Sequence, residues 1–181
     1  MSKVPSPSLS SDAWLGTMLG VPAYSISGGP GKLPKFAGPR FLFAKVDVAD
    51  AARSRWLESE GFGLVSQTVT LKKTVDGNAT PHPSCRRVRS SDENAVAATA
   101  GDSFALDRFH RDPKIATAIS DRIMESWARN FFKGERGDEM IVAEDANGKV
   151  MGFLQLVCPE AATNIIDLIA IDPAARGKGL G

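Results

Sequence analysis

The segment from Ile165 to Gly181 constrains the fold of this chain more than any other part of the sequence. Five of its first seven residues are Ile or Leu, which is the near-continuous apolar run of a strand that is covered on both faces. Asp172-Pro173 then ends the strand, because proline has no N–H to donate to a sheet. A glycine-rich stretch follows over 176–181, and amides around positions without side chains converge well on a phosphate group. The segment therefore predicts a buried strand, a turn and an anion-binding loop.

Two other glycine motifs fit this stretch less well. A P-loop requires G-x-x-x-x-G-K-[ST], and no Ser or Thr follows Lys178. A dinucleotide fingerprint requires G-x-G-x-x-G, whereas Gly177, Gly179 and Gly181 are spaced G-x-G-x-G. A flexible glycine-rich turn or tail remains the alternative without a binding function. The order of strand, turn and glycines favours the binding loop.

Upstream, the sequence predicts a strand followed by two helices. Residues 85–89 predict the strand, and Ser90-Ser91-Asp92-Glu93 begins a capped helix that extends to Ala100. A second helix is predicted over 113–133, with Asp112-Pro113 at its start. Its apolar face has one large residue at every fourth position, namely Ile115, Ile119, Ile123, Trp127 and Phe131.

Two further strands come between the second helix and the glycine-rich segment. Residues 138–144 and 149–157 predict strands that are joined by an Asn147-Gly148 hairpin turn. Gly152 within the second of these strands predicts a bulge or a close backbone approach. The predicted order is thus strand, helix, helix, hairpin, strand and glycine-rich loop.

Arg176-x-x-Gly179-x-Gly181 after a strand and a Pro-containing turn resembles the acyl-CoA signature of the GNAT N-acetyltransferases. The upstream elements resemble the N-terminal two-thirds of the same domain. The resemblance implies an α+β or α/β architecture with the GNAT acyl-CoA N-acyltransferase fold over 85–181. Further elements are expected after Gly181, amounting to about 40–60 residues by ordinary domain size. The resemblance also implies acetyl-CoA as the cosubstrate, bound through the protein backbone. The implied residues are Leu168, Ile169, Ala170, Ile171, Arg176, Gly177, Lys178, Gly179, Leu180 and Gly181.

A narrower resemblance concerns residues 104–113 and 127–138, which are similar to the acetyltransferases of nucleotide-linked amino sugars, such as the TDP-fucosamine N-acetyltransferases. Those proteins carry a small domain ahead of the GNAT fold. Here the small domain is predicted over 41–76 as strand 41–48, helix 49–60 and strand 64–73. It is preceded by a leader and connector over 1–40, partly disordered, and followed by a linker over 77–84. About forty residues cannot bury a core of their own, so we expect this unit to lean on the second domain or on a partner chain, for example in a homodimer.

Three groups of residues are candidates for the chemistry that the resemblance implies. Asp167, the one ionisable residue of the last strand, either draws a proton from the amine or is a structural carboxylate. The acid that protonates the leaving thiolate is expected beyond Gly181 or is water. In the loop over 104–112, Phe104, Arg108 and His110 are candidates for binding the acceptor. Arg108 would hold a phosphate of a nucleotide sugar by a bidentate contact. A structural role is the favoured alternative for His110, and Phe104 is an alternative core residue.

The resemblance leaves the acceptor open. A primary amine on a nucleotide-linked amino sugar leads, and a small amine, a peptide N-terminus or a protein lysine are alternatives. If the protein is not an enzyme, the alternative is a non-catalytic CoA-binding module.

Composition excludes several other classes of function. A net charge of +1 does not suit a non-specific nucleic-acid binder. No apolar run approaches the roughly 18 residues of a membrane span, and the N-terminus lacks the apolar core of a secretory signal. The two cysteines, Cys85 and Cys158, are far apart and predict buried thiols on strands rather than a disulfide or a metal site. We therefore expect a cytoplasmic protein without a metal.

Overall fold

The computed structural model describes residues 5–75, 77, 80 and 82–179. The chain divides between Gln67 and Thr68 into two compact units. Leu180 and Gly181, the last two residues of the predicted loop, lie outside the described residues.

The first unit is a three-stranded sheet with two helices. Its strands are β1 (Ser8–Ser11), β2 (Ala23–Ser27) and β3 (Phe41–Ala44), in the order β1-β2-β3. Strands β1 and β2 are antiparallel, whereas β2 and β3 are parallel. Helix α1 (Ala13–Leu19) and helix α2 (Ala51–Ser59) are capped by the carboxylates of Asp12 and Asp50, each of which accepts a backbone N–H in the first turn. The small core consists of Leu15, Ala23, Ile26 and Leu57.

This first unit differs from the prediction in its strands. The strand predicted over 64–73 is not formed, and Leu64, Val69 and Leu71 along it are exposed. The two strands that complete the sheet with β3 come instead from residues 8–27, the stretch that was expected to be a leader. Residues 8–27 form the other two strands because they supply Ala23 and Ile26 to the core, whereas the alternating apolar residues of 64–73 bury nothing. The predicted helix is present, and Gly61 after it adopts the left-handed conformation of a C-cap (φ 86°).

The second unit is a four-stranded antiparallel sheet with two helices between its first two strands. The strands are β4 (Cys85–Arg87), β5 (Glu139–Glu144), β6 (Val150–Glu160) and β7 (Thr163–Ile171), in the order β4-β5-β6-β7. The helices are α3 (Glu93–Ser103), entered through a 3-10 turn over Ser90–Asp92, and α4 (Thr117–Phe132). The predicted order of elements is confirmed, and the unit is mixed α+β.

Helix α4 begins four residues later than the prediction of 113–133. Asp112 does not open the helix, because its side chain accepts the N–H of Lys114 and its carbonyl accepts that of Ile115, which closes a separate turn. Within α4, Ile123, Met124 and Ala128 are buried and face Val96, Ala97 and Ala100 of α3 in the core of the unit.

One arginine joins three elements at the start of the second unit. Arg86 of β4 forms a bidentate ion pair with Asp92 at the entry to α3 and a hydrogen bond of 2.6 Å with Glu144 of β5. The hydrogen bond to Asp92 is the main cause that raises the pKa of Arg86, and Arg86 in turn lowers the pKa of Asp92. The neighbouring Arg87 differs, since its side chain is 84% exposed whereas that of Arg86 is 17% exposed.

Strands β5 and β6 are joined by the predicted Asn-Gly hairpin, in which Gly148 has a φ of 79°. Gly152 marks the predicted close approach of two backbones. A Cβ at this position would lie 2.4 Å from the Ile171 Cδ1 atom and 2.8 Å from the Ala170 carbonyl oxygen of β7. The absence of a side chain at Gly152 therefore sets the spacing between β6 and β7.

Both cysteines lie on strands, Cys85 in β4 and Cys158 in β6, as the sequence predicted. They are partly exposed rather than buried, and neither forms a disulfide. In the part of the chain that the structure describes, no helix is both long and apolar enough to span a membrane.

We expect Gly152→Ala to lower the free energy of unfolding of the second unit by about 1–3 kcal/mol, because β7 must move to make room for the methyl group. Hydrogen exchange of the Val142 and Phe153 amides measures this unit separately from the first. Gly63→Ala is the control, since a Cβ at Gly63 meets nothing within 4 Å. Equal protection of these amides in both variants would show that the close approach does not set the sheet spacing.

Candidate functional site

Strand β7 carries a β-bulge at its only charged residue. Gln155 of β6 pairs with Leu168, whereas its neighbour Leu156 pairs with Ile166. Asp167 is therefore the extra residue, without a partner on β6. The bulge lies where the predicted CoA-binding strand begins.

The carboxylate of Asp167 is held by two neighbours. Arg136, in the turn between α4 and β5, donates from Nε to Oδ2 at 2.7 Å and from Nη2 to Oδ1. The Gln155 amide nitrogen donates to Oδ2 at 2.9 Å. The Asp167 side chain is 10% exposed. These contacts give Asp167 a structural task, because its carboxylate fixes Arg136 and Gln155 through hydrogen bonds.

Arg136 also contacts the aromatic side of α4. Its guanidinium carbon lies 4.9 Å from the centroid of the Trp127 ring, and that of Arg108 lies 5.6 Å from it. Arg108 additionally stacks over Phe109 at 4.7 Å, and Phe109 packs edge-on against Trp127. A continuous chain of contacts therefore connects the predicted acceptor loop to the bulge of β7.

His110 is fixed between two carboxylates. Its Nδ1 contacts Asp107 of the same loop, and its Nε2 lies 2.9 Å from an oxygen of Asp121 in α4. Both ring nitrogens can donate at once only in the imidazolium form. Burial acts to lower the pKa of His110, but the hydrogen bonds that the ring donates to Asp121 and Asp107 outweigh it, and the pKa is raised above the usual 6.5.

His110 therefore holds the loop to α4, in line with the structural alternative that the sequence favoured. The side chain is 6% exposed, and each ring nitrogen faces a carboxylate oxygen.

The other loop candidates differ in exposure. Phe104 ends α3 and is partly buried, whereas Arg108 is exposed. The hydroxyl of Ser103, the last residue of α3, donates to the carbonyl of Ile171 at 3.2 Å. This bond places the start of the acceptor loop beside the end of β7.

The main chain of β7 is accessible at its outer edge. It is the last strand of the sheet within the described residues, so alternate backbone groups point away from β6. Leu168 and Ala170 are buried, but Ile165, Ile166 and Ile169 are 50%, 58% and 49% exposed. Within the described residues only the face that carries Leu168 and Ala170 packs into the core, so cover on the other face stays a prediction.

The turn after β7 has the backbone shape that a cradle requires. The Asp172 side chain accepts the N–H of Ala174 at 2.8 Å and fixes the start of the turn. Gly177 and Gly179 then have φ values of 76° and 74°, and a Cβ at either would meet nothing within 4 Å. Arg176 and Lys178 beside them are exposed. Two left-handed glycines in an open turn leave space for a ligand to approach the amides.

Two further features lie apart from this site. An open pocket of about 370 Å³ is formed by residues 87–90, 131–132 and 138–140, and none of the predicted site residues lines it. Within residues 5–75, 77, 80 and 82–179, no group of three or more His, Cys, Asp or Glu side chains is placed to hold a metal ion. Tyr24 lies in β2 of the first unit.

Sequence reasoning missed Trp127, Arg136 and Gln155 as members of this cluster. Trp127 was predicted on the apolar face of α4, and no role was predicted for Arg136 or Gln155. Their convergence depends on the β7 bulge, whose position no local pattern reveals. The only signal was the presence of one carboxylate and one amide on two neighbouring apolar strands.

No protein-family model matches the chain. Over 87 residues, or 48% of its length, the chain is 36% identical to the spore coat polysaccharide biosynthesis protein SpsD of Bacillus subtilis strain 168. The matched stretch covers 29% of SpsD, so the chain spans under a third of that relative. The chain is thus a partial homologue of a protein named for polysaccharide biosynthesis.

We expect the clamp at His110 to weaken as the pH rises. With the pKa raised in the folded state, its contribution to stability is complete below the usual pKa of 6.5 and is lost as the pH passes through the folded pKa. The free energy of unfolding of the parent, relative to His110→Gln, should therefore be largest near pH 5.5 and decrease toward pH 9.

NMR titration of the imidazole resonances measures the pKa of His110 directly, and His82→Asn assigns the other histidine of the chain. A His110 resonance that titrates at or below 6.5 would contradict the imidazolium clamp.

Proposed function

We propose that this chain is an N-acetyltransferase with a GNAT fold, which transfers acetyl from acetyl-CoA to a primary amine. The observation that carries the proposal is the end of β7. An accessible strand edge leads into a turn with two left-handed glycines, at the Arg176-x-x-Gly179 positions of the acyl-CoA signature. The antiparallel sheet with two helices between its first two strands supports the same fold.

In this proposal, the chain binds acetyl-CoA mainly through its main chain. The amides around Gly177 and Gly179 receive the pyrophosphate, and the outer edge of β7 over 168–171 pairs with the pantetheine arm. The bulge at Asp167 directs the strand edge outward where the thioester would lie. Acetyl-CoA supplies the activated acyl group, so the protein need not form a covalent intermediate.

Acceptor attack then depends chiefly on position. A neutral amine held against the thioester carbonyl benefits from proximity and orientation, and a backbone N–H of β7 stabilises the oxyanion. Because Asp167 and His110 are both engaged in ion pairs, we propose that the amine proton leaves to water rather than to either side chain. When the tetrahedral intermediate collapses, the C–S bond breaks and CoA leaves as a thiolate, which takes a proton from water or from an acid beyond Gly181.

The proposed acceptor is an amino group on a nucleotide-linked sugar. The partial homology to a polysaccharide biosynthesis protein supports a sugar, and Arg108 is an exposed cation in the predicted acceptor loop. Arg108 and Arg136 meet on Trp127, which concentrates positive charge where a phosphate would bind. The alternative acceptors are a small amine and a peptide amine. The alternative to an enzyme is a CoA-binding module without activity. The experiments below distinguish these alternatives from the proposal.

Gly179→Val tests the cradle. A valine at a φ of 74° is strained and its side chain occupies the space proposed for the pyrophosphate, so we expect acetyl-CoA affinity to fall at least about tenfold. Calorimetric titration with acetyl-CoA measures the affinity. Lys178→Ala, which removes only an exposed charge, should stay within about threefold of the parent. Parental affinity of Gly179→Val would remove the main support for an acetyltransferase.

Arg108→Ala tests the acceptor. The loss of a charge-assisted hydrogen bond to phosphate, about 1.5–3 kcal/mol, should raise the KM for a nucleotide-linked amino sugar far more than the KM for acetyl-CoA. Arg111→Ala, an exposed arginine of the same loop, is the matched control. Equal changes for both substrates would contradict this role, and acetylation of simple amines alone would favour the other acceptors.

A further inference from the structure

The first unit contains a pocket of about 390 Å³ that belongs to neither the glycine turn nor the acceptor loop. It is lined by Ser25, Ile26 and Ser27 of β2, Phe43 of β3, Lys45 just after β3, and Arg53 in the first turn of α2. Strands β2 and β3 are parallel, and the pocket lies where both end. In open α/β sheets, small ligands commonly bind outside the carboxyl ends of parallel strands.

Arg53 is positioned by the main chain at this edge. Its Nη2 donates to the carbonyl of Ile26 at 2.8 Å, which holds the guanidinium over the end of β2. Its Nε is inaccessible to solvent and has no hydrogen-bond partner. A buried donor without a partner costs stability, so its presence calls for an explanation that packing alone does not give.

The charges around the pocket favour an anion. The two charged residues in its described lining are both cations, Lys45 and Arg53. Two carboxylates lie nearby in sequence, but neither lines the pocket: Asp47 accepts the N–H of Ala49 at 2.9 Å and Asp50 accepts that of Arg53 at 3.0 Å. The hydroxyls of Ser25 and Ser27 already contact β1, so the two cations must provide the recognition.

We propose that this pocket binds the phosphate group of a small phosphorylated molecule. Arg53 offers a planar, fixed donor group and Lys45 a mobile charge that closes on the anion. Phe43 forms an apolar wall against which the organic part of the ligand packs. The inference does not depend on acetyl transfer, because every residue of the pocket lies in the first unit.

Residue-resolved NMR of the whole chain tests the proposal. Inorganic phosphate and uridine 5′-diphosphate are each titrated against sodium chloride of equal ionic strength, and the amides of Ser27 and Lys45 are followed. We expect saturable shifts at these amides with both probes and none with chloride. A nucleotide that binds about tenfold or more tighter than phosphate identifies an organic phosphate as the ligand, whereas equal affinities identify the free anion.

Matched variants decide whether the cations carry the binding. Arg53→Gln should raise the Kd at least about tenfold, whereas Arg55→Gln, an exposed arginine two residues along the same helix, should change it less than about twofold. Lys45→Glu reverses a charge that forms no hydrogen bond or ion pair in the described structure, and it should abolish binding even where Arg53→Gln impairs folding. Gly179→Val should leave the Ser27 shifts unchanged. Chloride-induced shifts, shifts confined to the glycine turn, or unaltered binding by Lys45→Glu would overturn the proposal.

Discussion

The ion pair between Arg136 and Asp167 is the interaction on which the geometry of the second unit's candidate site depends. A bulge leaves its extra residue without a strand partner, and a largely buried carboxylate at that position is costly unless it is hydrogen-bonded. Arg136 and Gln155 provide those bonds. The same guanidinium packs on Trp127, so the bulge, the turn before β5 and the aromatic face of α4 are held in one arrangement. The position of the β7 backbone therefore depends on contacts with Arg136 and Gln155 as well as on its own sequence.

Elements whose cause is local could be predicted from the sequence. The Asn147-Gly148 hairpin, the left-handed glycine after α2 and the close approach at Gly152 each follow from what glycine permits at one position. The order of elements in the second unit follows from hydrophobic periodicity in the same way. For the candidate site, the glycine turn and the loop around Arg108 were identified, because their residue types are unusual where they stand.

Features that depend on long-range packing could not be predicted. The alternating pattern over 64–73 has the form of a strand, but β3 pairs with β2, which supplies Ala23 and Ile26 to the core. The contacts of Arg86 with Asp92 and Glu144 join residues six and 58 positions apart, so no local pattern in the sequence predicts them. The engagement of His110 by two carboxylates likewise requires the loop to fold back onto α4.

The candidate site exposes main chain by two independent means, and this explains why its side chains gave so little information. At the bulge, one residue leaves the ladder and the strand edge turns outward. In the turn, Gly177 and Gly179 adopt a backbone conformation that side chains disfavour, which opens space around their amides. Asp167, the catalytic candidate of the sequence, is tied to Arg136 and Gln155 at the bulge, and His110 is tied to Asp107 and Asp121 in the loop and α4. A site of this kind selects its ligand by the shape and dipoles of the backbone. The placement of glycine, proline and ion pairs determines that shape.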